Sequence, residues 1–151
     1  MTGIATGVVT WNAEWATPES RGWRWATEVV APLTGLGVFT EVRLDALAQW
    51  GGHVVGGDAD WGYPTVHGKR RKVALFSSSY LRDVDLASAS DLPPGRFVAA
   101  TTDSILGPIR LVGVCIPWKG AHVDTGRRDA HQWQEHLAFL RALPAALEQT
   151  R

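Results

Sequence analysis

One cysteine in 151 residues excludes a disulfide within the chain, so a fold held by packing alone is expected, suited to a reducing compartment. No apolar run is long enough to cross a bilayer, and the opening MTGIATGVVTWN lacks the basic and apolar regions of a secretory signal. These absences point to a cytoplasmic protein. There is no excess of charge either: fifteen Lys and Arg balance fifteen Asp and Glu. A surface built throughout as a polyanion trap is therefore excluded, while a local basic patch is not. Internal repeats and low-complexity tracts are missing too. With 45% hydrophobic and 20% charged residues, what remains is one globular domain over residues 1–151. The residue in excess is tryptophan, with eight copies.

Periodicity divides the chain into elements. A strand is expected from about Ile4 to Asn12. Trp23, Ala26 and Val30 recur at helical spacing, with Ser20 as N-cap and Pro32 near the end. GVFTEV, Gly37 to Val42, reads as a strand, LDALAQW as a helix closed by Gly51 and Gly52, and His53 to Gly56 as a short strand. KVALFSSSYL, RFVAATT and PIRLVGVCIPW read as three consecutive antiparallel strands. Near the C-terminus Ala130, Trp133, Leu137 and Leu140 form a helical stripe, capped by Asp124 or Thr125, and Pro144 should end or kink that helix near Leu143. The expected class is an α/β or α+β sandwich with helices packed on a sheet.

Two strands deliver a polar side chain at their C-terminal ends: Asn12 after VVTW, and Glu41 in FTEV. An amide oxygen with a carboxylate is a donor set for a hard cation such as Mg2+, which binds few protein ligands and keeps several waters. The same residues would equally serve as a turn former and a helix cap. The run from His67 to Lys72 gathers Lys69, Arg70, Arg71 and Lys72, either as a phosphate-contacting patch or as a solvated loop. Alternation on the following strand lets at most half of it face one site. Arg127 and Arg128 at the start of the last helix oppose its dipole, which favours an anionic partner or a nearby Asp124 or Asp129. Trp23, Trp50 and Trp133 are expected in the core, whereas Trp15, Trp61 and Trp118 sit in loops where a ring is free to stack on a base or sugar.

The ordered series VVTWNAEW, FTEVRLDAL, KRRKVALFSS and IRLVGVCIPW, followed by RRDAHQWQEHLAFLRAL, resembles the N-terminal portion of the endonuclease/exonuclease/phosphatase family, the DNase I-like phosphoesterases. In that family the first strand closes on an Asn, the second on a metal-holding Glu, and a later strand has the pattern G-x-A-x-[FY]-S, here Lys72 to Ser77. The resemblance implies the first half of a DNase I-like four-layer fold, a mostly antiparallel sandwich with flanking helices. It implies catalytic and metal roles for Asn12 and Glu41, with Mg2+ or Mn2+ as a weakly held cofactor. Lys69, Arg71, Cys115 and Trp118 are the candidate substrate-binding residues, for a phosphoester that includes DNA or RNA. Cys115 stands where the family carries a phosphate-contacting His or Tyr, and equally fits a buried strand cysteine. The family's G-D-x-N and S-D-H motifs, which place the attacking water, are absent, so this chain alone is expected to be inactive. An incomplete sandwich should leave an apolar sheet face for a second copy or a complementary C-terminal fragment. Two further readings remain open: a non-catalytic nucleic-acid or ligand-binding half-domain, and a Trp-rich carbohydrate-binding domain.

Overall fold

KVALFS and FVAA are apolar at consecutive positions, so the strands they form must be covered on both faces. The structure, a computed structural model describing residues 7–125 and 129–150, covers them with four layers. The first sheet contains β1 (Gly7–Asn12), β2 (Thr34–Arg43), β3 (His53–Gly56) and β4 (Arg70–Ser77) in the order β1-β2-β4-β3. The second contains β5 (Arg82–Asp85), β6 (Phe97–Ser104) and β7 (Gly107–Val114) in sequence order. Only β1 and β2 pair in parallel, joined by a crossover through α1 (Arg21–Val29); every other pair is antiparallel. The mixed α+β sandwich is therefore as expected.

Alternation assigns each residue to a layer. Val73 and Leu75 of β4 meet Val98 and Ala100 of β6 between the sheets, with Val38 and Leu111 closing that core. On the outer face of the first sheet, Phe39, Ala74 and Phe76 pack with Trp23 of α1 and with Ala46 and Leu47 of α2 (Leu44–Leu47). On the outer face of the second, Phe97 and Ala99 pack with Phe139 and Ala146 of α3 (Gln134–Gln149). Trp23 stacks on Trp11 at 5.4 Å, and its indole N–H donates to the Ala46 carbonyl at 3.2 Å. Trp23 is thus core, as expected, and the half-buried Trp50 packs edge-on against Phe39 and Phe76.

Several local expectations hold. Ser20 caps α1 by accepting from the Trp23 amide, and Gly51 takes the left-handed conformation (φ 74°) that closes the turn after α2. Others need correction. KVALFS does not join RFVAATT and PIRLVGV in one meander: β4 belongs to the first sheet and β6 and β7 to the second, since pairing partners depend on contacts that local alternation does not encode. Helix α3 begins only at Gln134, with Trp133 at its N-cap and no side-chain cap from Asp124 or Thr125. Its buried face carries Glu135, Phe139 and Ala146; Leu137 and Leu140 lie partly exposed, and Trp133 is 50% exposed with its ring edge-on to His136. Pro144 does not end the helix, which runs on to Gln149. Burial on both sides of it, by Phe139, Ala142, Leu143 and Ala146, outweighs a proline cost of about 3 kcal/mol. Arg110 ties down the helix end through the Thr150 carbonyl and hydroxyl at 2.9 and 2.7 Å. The expected start of the first strand at Ile4 and the pair Arg127 and Arg128 lie outside the described residues.

Among the described residues the two sheets cover each other's inner faces and the helices cover the outer ones. An apolar surface is left open at one flank. β1 and β7 are the outer strands of their sheets and lie on the same side, since β2 and β4 pack over β7. There Val8 is 73% and Leu106 86% exposed.

Candidate functional site

Strand ends place the site. β1 and β2 run parallel with Asn12, the last residue of β1, beside Thr40, so Asn12 and Glu41 meet near one end of the two strands, with Glu41 two residues before the end of β2 rather than closing it as expected. Glu41 lies between the paired positions Thr40/Val73 and Val42/Arg71, which sets it across from Lys72 of β4. Its backbone is left-handed, with φ 48°, a conformation costing on the order of 1–3 kcal/mol outside glycine. Phe39 and Val42, three apart, both enter the outer core, so alternation breaks at Glu41. The loop after β1 fastens this kink: the Ala13 and Trp15 amides donate to the Thr40 and Glu41 carbonyls at 2.9 and 2.7 Å.

These residues form one wall of a cleft of about 430 Å³, lined also by Arg96, Val114, Cys115, Ile116 and Trp118. The structure thus brings together Asn12, Glu41, Cys115 and Trp118 of the sequence candidates. It does not bring Lys69 or Arg71 there. Lys69 pairs with Asp45 at 3.4 Å, and Arg71 folds back onto the Gly68 and Arg70 carbonyls. Two cations outside those candidates line the cleft: Lys72, read from the sequence only as a member of the basic cluster, and Arg96. Lys72 had a signal: the G-x-A-x-[FY]-S pattern opens on glycine, and this chain has lysine at that position. Arg96, buried just before β6, had none.

Lys72 is held from two sides. Its ammonium is 2.9 Å from Glu41 Oε1, and the Trp15 and Trp61 rings, stacked at 5.7 Å, lie 5.0 and 5.9 Å from it. Trp61 is buried and Trp15 is stacked on it, so neither presents a free face of the kind expected for a base; Trp118, 61% exposed, does. Arg96 donates to the Cys115 carbonyl at 3.2 Å, and no carboxylate pairs with it among the described residues. Burial pushes the Cys115 thiol up, so it is neutral near pH 7. The lining thus sets one carboxylate against two cations.

The donor set was weighed for a divalent ion. Asn12 Oδ1 already accepts the Glu14 amide at 3.3 Å, and Glu41 holds Lys72. No group of three His, Cys, Asp or Glu able to hold a metal occurs among the described residues. An ion at Glu41 would also stand near an ammonium, a repulsion of about 4 kcal/mol per unit charge at 4 Å and an effective dielectric of 20. The residues present do not fit a tightly held divalent cation.

No family model matches the chain, and no curated protein matches it in sequence. Among solved structures it is similar to the 3′-5′ exonuclease NExo from Neisseria meningitidis, with a TM-score of 0.60 and 22% identity over 95% of this chain and 53% of that one. The 3′ phosphatase NExo from Neisseria bound to a product DNA hairpin gives 0.59, 21%, 95% and 52%. The fold is DNase I-like. An endonuclease/exonuclease/phosphatase family protein from Leptotrichia buccalis aligns more loosely, with a TM-score of 0.51 and 10% identity over 95% of this chain and 62% of that one. The chain spans about half the length of the two NExo structures. The cleft lies at the end of β1 and beside the kink of β2 at Glu41, and its lining holds no imidazole and no carboxylate besides Glu41 among the described residues.

Proposed function

We propose that the chain is the N-terminal portion of a DNase I-like phosphoesterase, and that its cleft recognises a phosphoester without hydrolysing it alone. The observation carrying this reading is the convergence of Asn12, Glu41, Lys72, Arg96, Cys115 and Trp118 on one cleft of that fold. Two cations complement a phosphate and the exposed Trp118 ring offers a base or sugar a stacking surface. Hydrolysis further requires a group to orient or deprotonate water and an acid for the leaving oxygen, and the lining supplies no residue suited to either. Mg2+ or Mn2+, which the resemblance implies, would meet Asn12 and Glu41 and bind weakly at most. The DNA hairpin bound by one structural neighbour favours a nucleic-acid 3′ end as substrate class. Cytoplasmic residence fits the lone cysteine.

The test is direct. The purified chain is mixed with a 3′-phosphorylated DNA hairpin and Mg2+, and binding and phosphate release are followed together. Binding without release is expected. Release that disappears in Glu41→Ala would overturn the inactive reading, and absence of binding would overturn phosphoester recognition.

A complementary C-terminal portion is the second part of the proposal. Strands β1 and β7 leave unpaired edges on one flank, beside an apolar cleft of about 420 Å³ lined by Val8, Leu36, Ile105, Leu106 and Ile109. Unpaired edges with apolar surface beside them template further strands. Sedimentation distinguishes a homodimer through this flank from a monomer awaiting that partner.

A further inference from the structure

We propose that Lys72 takes the place of a divalent cation in this cleft, so that phosphate is bound directly by Lys72 and Arg96 and needs no metal. The inference rests on the phosphoester reading and specifies how that site works. A cation beside Glu41 is required, because an unpaired carboxylate facing a phosphate would repel it. The chain supplies that cation covalently. The Lys72 ammonium sits 2.9 Å from Glu41 Oε1 and is backed by the stacked Trp15 and Trp61 rings, so its position is set by three side chains before any ligand arrives. Arg70 lies over the same Trp15 ring at 5.3 Å, adding positive potential behind it.

Neutralising Glu41 would by itself leave a neutral cleft. Arg96 makes the difference. It lines the cleft and is anchored by the Cys115 carbonyl, and no described carboxylate pairs with it. A phosphate placed between the two groups meets a point charge with three donors and a planar donor fork. The Cys115 thiol beside Arg96 stays neutral near pH 7 and adds no opposing charge. Because the Lys72 ammonium already pairs with Glu41, added Mg2+ would have to compete with it for the one carboxylate of the lining, and anion affinity should not respond to it.

Calorimetric titration with a 3′-phosphorylated DNA hairpin and its 3′-hydroxyl counterpart, in EDTA and then in Mg2+, tests this. In EDTA the phosphorylated hairpin should bind more tightly, and Mg2+ should leave the ratio within about twofold, well under the tenfold that one strong charged hydrogen bond would give. Lys72→Met should lower that ratio about tenfold in EDTA, the equivalent of one charged hydrogen bond, while Lys72→Arg keeps it. With the ammonium's repulsion removed, Lys72→Met should bind Mn2+ more tightly than the parent does, seen by electron paramagnetic resonance. Near-ultraviolet circular dichroism confirms that both variants are folded, and Lys72→Gln, with the same expected loss, carries the test should Lys72→Met not be. Phosphate preference that appears only with Mg2+, or Mn2+ bound equally by parent and Lys72→Met, overturns the metal substitution and leaves phosphoester recognition standing. A hairpin bound under neither condition overturns phosphoester recognition itself.

Discussion

The two sheets approach closely at Gly113, and adding one methyl group there tests the four-layer packing. A Cβ at this position would lie 2.8 Å from Val73 Cγ2, 3.0 Å from Leu75 Cδ2 and 3.2 Å from Val38 Cγ1, all on the first sheet. Val73 and Leu75 are fully buried, so neither of the two shortest contacts can be relieved by a side chain swinging into solvent. Overpacking of this kind costs about 1–3 kcal/mol. Replacing glycine in a strand recovers roughly 0.5–1 kcal/mol of chain entropy. Gly113→Ala should therefore destabilise the protein by up to about 2.5 kcal/mol net. Gly22 in α1 is the internal control, since a Cβ there meets nothing within 4 Å. Gly22→Ala should stabilise by up to about 1 kcal/mol. Urea unfolding of both variants gives the answer through opposite shifts in midpoint at unchanged slope. A Gly113→Ala variant as stable as Gly22→Ala would mean that the sheets do not meet at Val38, Val73 and Leu75, and with that the four-layer arrangement fails.

Cys115 should alkylate with iodoacetamide more slowly than a free thiol at pH 7 and catch up only at alkaline pH, because burial raises its pKa; a rate equal to that of free cysteine at neutral pH would refute its burial. Hydrogen bonds from Arg43, reinforced by Lys69, hold the Asp45 carboxyl below the usual carboxylate range. The stability this confers is present above about pH 4, the unfolded value, and is lost as pH falls through the lower folded value. Asp45→Asn should thus be less stable than the parent at pH 7, with the gap closing in acid; a gap constant with pH would contradict it. Arg110→Ala removes the ties to Thr150 and should speed amide exchange in the last turn of α3 while leaving β4 protected. Uniform change across both, or none, would show that Arg110 does not hold that end.

Much of the candidate site was legible because strand ends advertise themselves. Asn12 and Glu41 each interrupt an apolar run, and a parallel pair sets such ends side by side, as Asn12 and Thr40 are here. The helix stripe misled for a physical reason. Trp133 and Leu137 satisfy helical spacing, but the helix begins after Trp133, and its other side, with Phe139 and Ala146, packs on the second sheet. Lys69 and Arg71 were read with Lys72 as one cluster, and alternation at the start of β4 separated them. Arg96 offered no pattern, since a single arginine before a strand has many uses and its burial arises from neighbours distant in the chain.

What the sequence determined by itself is the identity of each face: continuous apolar runs such as VALF and FVAA must be covered on both sides, and that demand follows from apolar side chains alone. It also marked where elements stop: β1 at Asn12 and the helical turn after α2 at Gly51. Which sheet each strand joins, and which cation stands against Glu41, were decided only by the tertiary structure. Those outcomes depend on register between segments far apart in the chain, where Glu41 meets a lysine 31 residues away. Local periodicity carries no term for such a meeting, because it is set by how the layers pack.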